Sequence, residues 1–108
     1  MRRTPFLTCA AAVAHVKAFV AEVRRIGVPV RQAILFGSYA RNEQPEWSNL
    51  DVALISDSFT GAGPLDVRAF GHLMWDYHRV EPHTFPTTDF EDGDAFAEEI
   101  KRTGIVVA

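Results

Sequence analysis

A chain of 108 residues, 47% of them hydrophobic, has room for one domain with its own core and excludes a disordered segment. A net charge of −3 gives no large basic footprint for nucleic acid, and no apolar run approaches the roughly 20 residues that cross a bilayer. The single cysteine, Cys9, rules out an internal disulfide and suits a reducing, cytoplasmic compartment.

Thr4-Pro5 or Thr8 opens a predicted helix. Arg2-Arg3 and the apolar residues that follow mimic a signal peptide as far as Ala14. However, Val13, Val16, Phe19, Val20, Val23 and Ile26 continue one apolar stripe well beyond that point, with Lys17, Glu22, Arg24 and Arg25 opposite. We therefore expect one amphipathic helix that ends at Gly27, with Pro29 just beyond. Val30 to Phe36 reads as a first strand, and Ala33 to Phe36 has no polar break, as in a strand buried on both faces.

Gly37-Ser38 then requires a turn. Gly37 lets the backbone turn sharply and approach a ligand closely. Ser38 offers a hydroxyl and a backbone N–H to a phosphate, and can cap a short helix through Arg41. Arg41 either positions the turn or touches phosphate. Trp47 lies in the following loop and reads as a packing residue, with a nucleobase platform as the alternative. Leu50 to Ile55 is a second strand, and period two puts Asn49 and Asp51 on one face.

A glycine-bearing loop leads to Pro64, which opens a predicted helix of about four turns carrying Leu65, Phe70, Leu73, Met74 and Tyr77. Arg79 to Phe85 is a third strand, and Pro82 places it at an edge or near a strand end. Glu81 and His83 share a face. His83 reads as a strand-end residue, with a role in the site as the alternative. His15, His72 and His78 fall on helices or their ends as surface or boundary residues. Thr87 to Phe90 begins another connection. A last helix runs from Asp94 to Thr103 with Phe96 and Ile100 inward, Gly104 ends it, and Ile105-Val106-Val107 is a tail or a strand.

These elements imply a small α/β (α+β) domain over residues 1–108, with a mixed sheet of three or four strands flanked by helices. If the first two strands pair antiparallel, Gly37-Ser38 lies beside Asn49 and Asp51. A helix-containing crossover returns the third strand parallel to the second. The turn, Asp51 and Glu81 then converge on one edge of the sheet.

The Gly37-Ser38 turn, Ala40-Arg41 and the strand bearing Asp51 resemble the minimal nucleotidyltransferases of the DNA polymerase β-like superfamily. Val80-Glu81-Pro82-His83 and the segment Glu99 to Ile105 look like the bacterial single-domain members. The family pattern is a Gly-Ser turn followed by an Asp-x-Asp pair. Asp51 matches the second aspartate, and Asn49 stands where the first belongs.

The resemblance implies a polymerase β-like nucleotidyltransferase fold and transfer of a nucleoside monophosphate, most often AMP from ATP, to a hydroxyl. It implies Gly37, Ser38 and Arg41 for the phosphates, Asp51 for Mg²⁺ and catalysis, Glu81 as the third acid, and Asn49 at the remaining metal position. Family members of this size commonly work beside a HEPN protein in toxin–antitoxin pairs, which would make the acceptor a partner protein. An amide carries no charge toward a hard cation, so Asn49 weakens metal binding or slows turnover. That departure keeps a second reading open: an antitoxin that neutralises a HEPN-type partner by contact alone.

Overall fold

The computed structural model describes residues 9–37 and 49–108. Helix α1, Cys9–Arg25, runs unbroken past Ala14. Ala12, Val16, Phe19, Val20 and Val23 are all buried, as the stripe requires. Gly27 stops the chain at φ +104, a conformation that side-chain-bearing residues adopt only with strain. Strand β1, Gln32–Phe36, and strand β2, Leu50–Ser56, pair antiparallel, so that Phe36 faces Asp51.

Strand β3, Val80–Pro86, lies parallel to β2 with Asp51 opposite Glu81 and Ala53 opposite His83. Strand β4, Ile105–Val106, adds antiparallel to β1, and the sheet order is β3-β2-β1-β4. Of the three or four strands expected from the sequence, four are present in a mixed sheet, and the segment read as a tail or a strand forms the fourth. Pro82 sits inside β3, which is an edge strand, so its missing N–H removes no bond that the sheet interior needs.

Each strand alternates between two cores. Ala33, Leu35, Leu50, Val52 and Leu54 pack against α1 together with Phe59, Phe70 and Leu73. Ile34, Phe36, Ala53 and Ile55 pack on the other face against Phe90, Ala97 and Ile100. Asp51 alternates with Leu50 and Val52, so it belongs to the second face. A register slip of one residue would move it onto the apolar face packed against α1 and expel several buried apolar side chains.

The β2–β3 crossover differs from the expected single helix. It consists of α2, Gly63–Val67, and a separate 3-10 helix, Gly71–Trp75. Phe70, at φ −137, breaks the helix. The break lets Phe70 enter the core edge-on to Phe19, with ring centroids 5.9 Å apart, while Leu65 is 52% exposed. Two further helices, α3 (Thr87–Glu91) and α4 (Ala95–Thr103), cover the second face. Asp94 caps α4 by accepting from the Ala97 N–H. Ile100 is buried as expected, whereas Phe96 is 45% exposed.

His15 is half-buried against Tyr77, with ring centroids 5.2 Å apart. No helix among the described residues is long and apolar enough to cross a membrane.

Candidate active site

The end of β1 and the starts of β2 and β3 bring Gly37, Asp51 and Glu81 together. Gly37 turns at φ +79. A Cβ on it would lie 2.7 Å from Asp51 Oδ2. The absent side chain is therefore what lets the Asp51 carboxylate stand against the turn. Gly37→Ala is expected to strain the backbone by about 1–2 kcal/mol and to push the carboxylate aside. Thermal melting combined with nucleotide titration checks this: stability should fall modestly and Mg²⁺-dependent affinity sharply.

Asp51, Glu81 and His83 each direct a ligand atom into one cluster, all within 4.8 Å of one another. His83 Nε2 lies 3.2 Å from Asp51 Oδ1, and about a third of each side chain is open to solvent. The His83 ring is held edge-on to Phe36 at 5.0 Å and to Phe96 at 6.2 Å. Glu81 is exposed, yet its carboxyl is pushed up by its hydrogen bond to Asp51, by partial desolvation and by the Asp51 charge, with His83 pulling weakly the other way. Two carboxylates pressed together in this way suit a divalent cation, which supplies the charge they lack.

Asn49 is exposed and immediately precedes β2, so the strand alternation expected to put it on the face of Asp51 does not extend to it. Ser38, Arg41 and Trp47 lie outside the described residues.

The sequence did not single out Asp66. Buried at the start of the crossover, it accepts from the Thr60 N–H and hydroxyl, the Gly61 N–H and the Thr84 hydroxyl. Burial raises its carboxyl, but these donors outweigh burial and hold it below the usual carboxylate range. It ties the loop after β2 to β3, the strand that carries Glu81 and His83. A polar residue in a mostly apolar crossover was the only signal in the sequence.

A family model described as a nucleotidyltransferase domain matches residues 16–105. The chain belongs to this family. The nucleotidyltransferase domain superposes on a Sulfolobus solfataricus structure provisionally assigned as a nucleotidyltransferase, with a TM-score of 0.59 and 14% identity over 91% of this chain and 80% of that one. It also superposes on a toxin–antitoxin structure with AMP-PNP, with a TM-score of 0.61 and 16% identity over 85% of this chain and 72% of that one. At these identities the likeness is one of fold. No curated protein sequence matches the chain significantly.

Proposed function

We propose that the chain, read as a single domain, transfers a nucleoside monophosphate, AMP from ATP, to a hydroxyl on a partner protein in the cytoplasm. The observation that carries this reading is the approach of the Asp51 carboxylate to the Gly37 turn, with Glu81 beside it. The family match supports nucleotidyl transfer. The likeness to a toxin–antitoxin structure with AMP-PNP supports an adenine nucleotide and a protein partner, for which a HEPN-type protein is the proposal.

Backbone at Gly37 and the Ser38 hydroxyl would bind the triphosphate, and Arg41 would offset its charge. Asp51 and Glu81, with Asn49 contributing a neutral oxygen, would hold Mg²⁺. A divalent cation held by these residues would supply the positive charge that offsets the charge building on the leaving pyrophosphate. Phe36, opposite Asp51 in the sheet and edge-on to the His83 ring, flanks the cluster on the β1 side.

Asn49 favours a second reading, in which the domain binds its partner and neutralises it by contact, with little or no transfer. Asn49→Asp separates the two. Adding a carboxylate is expected to raise Mg²⁺-dependent ATP affinity or AMP transfer at least about tenfold, because even indirect support of a metal site is worth roughly that much. Calorimetric titration of ATP with and without Mg²⁺, on wild type and variant, measures it. No Mg²⁺-dependent ATP binding in either protein, with partner binding intact, would leave the contact reading.

A further inference from the structure

We propose that His83 is a metal ligand beside Asp51 and Glu81, and that the resulting site of two carboxylates and one imidazole prefers a first-row transition-metal divalent ion to Mg²⁺. The inference rests on the nucleotidyltransferase reading and adds to it a residue and an ion preference.

Neighbouring ligands at 2.0–2.1 Å from an octahedral ion stand about 3 Å apart, and opposite ligands about 4.2 Å. His83 Nε2 and Asp51 Oδ1 are 3.2 Å apart, close to the shorter of these separations. All three ligand atoms lie within 4.8 Å of one another, and the exposed, flexible Glu81 side chain can close the remainder. The parallel register makes the arrangement: Asp51 faces Glu81, and His83 follows two residues later on the same face. Phe36 and Phe96 pack against the imidazole and hold it over the carboxylates, while a third of the side chain stays open to an incoming ion.

The donor set decides the preference. Mg²⁺ takes oxygen ligands and keeps its waters, whereas imidazole suits the later divalent metals. Asn49 removes one anionic oxygen from the neighbourhood and shifts the balance further toward nitrogen. The competing account is that His83 only donates a hydrogen bond to Asp51 and orients it. His83→Gln distinguishes the two, because an amide still donates but supplies no imidazole nitrogen.

Mn²⁺ is a stringent probe, since it stands lowest in the transition-metal affinity series, and its electron spin reports directly bonded nitrogen. The full chain, stripped of metal, is titrated calorimetrically with Mn²⁺ and with Mg²⁺ in the absence of nucleotide, and the Mn²⁺ form is examined by pulsed EPR. We expect Mn²⁺ to bind at least about tenfold tighter than Mg²⁺, with ¹⁴N coupling from a bonded imidazole. His83→Gln is expected to abolish the coupling and to weaken Mn²⁺ about tenfold, with less than about a threefold change for Mg²⁺.

A Mn²⁺ spectrum without nitrogen coupling overturns the proposal. So does a His83→Gln variant that weakens both ions equally, which is the signature of the hydrogen bond alone. Neither result touches the nucleotidyltransferase reading, which stands on Mg²⁺-dependent ATP binding. Failure of every divalent ion to bind, with ATP or without, overturns both. If His83→Gln does not fold, the wild-type spectrum decides.

Discussion

Asp51→Asn is expected to reduce Mg²⁺-dependent nucleotide affinity by more than about a hundredfold while the protein stays folded. Asp51 is where the elements of the candidate site meet: it pairs with Phe36 across one strand and Glu81 across the other, and it touches His83. Asn49 carries no charge, so loss of the Asp51 charge leaves Glu81 as the one carboxylate in the cluster.

The metal-free fold should not suffer. Glu81 is raised by its contact with Asp51, so the fold disfavours its charged form. For a raised acid, the stabilising contribution is complete below its unfolded pKa and is lost as pH rises through the folded one. At neutral pH the pair therefore repels, weakly because Glu81 is exposed, and Asp51→Asn relieves that repulsion. Melting temperature without metal should hold or rise slightly, and stabilisation by Mg²⁺-ATP should vanish. A folded Asp51→Asn protein that kept the Mg²⁺-ATP stabilisation of wild type would remove Asp51 from the site. Glu81→Gln should repeat the pattern.

Asp66→Asn should have the largest effect on stability. Four donors converge on this buried carboxylate. An amide of the same shape accepts on one side only and turns its own N–H groups toward the others. The Gly61 N–H, which cannot rotate away, is left facing a donor. A buried donor left without its charged acceptor costs about 2–4 kcal/mol here, or roughly 10–20 °C in melting temperature for a domain of this size.

The loss should also depend on pH. The folded Asp66 carboxyl lies below its unfolded value, so its contribution is present above the ordinary carboxylate pKa and disappears as pH falls through the folded one. The difference between wild type and Asp66→Asn should therefore be full at pH 7 and shrink below about pH 4. A pH-independent gap, or one under about 1 kcal/mol, would mean that these hydrogen bonds are weak.

Much of what brings the candidate site together is legible in the sequence alone. The apolar run to Phe36, the glycine after it and the period-two face of Asp51 are local signals, and local signals survive without tertiary context. The parallel return of a helix-containing crossover, together with strand alternation, then carried Glu81 to Asp51. The helix break at Phe70 was not legible. Its driving force is a fit against Phe19, some 50 residues earlier in the chain, and periodicity within one segment carries no information about a partner's shape. Phe96 followed the helical stripe but is half-exposed, because the start of α4 stands beside His83 on the edge strand.

The His83–Asp51 contact and the Asp66 network belong to the same class. Residue type and spacing placed His83 on the right face. Whether its nitrogen reaches a carboxylate depends on interstrand register and on rings contributed by two other elements. Asp66 looks in sequence like any polar residue at a helix start. Only the folded chain brings Thr60, Gly61 and Thr84 around it, and only that convergence makes a buried charge stable.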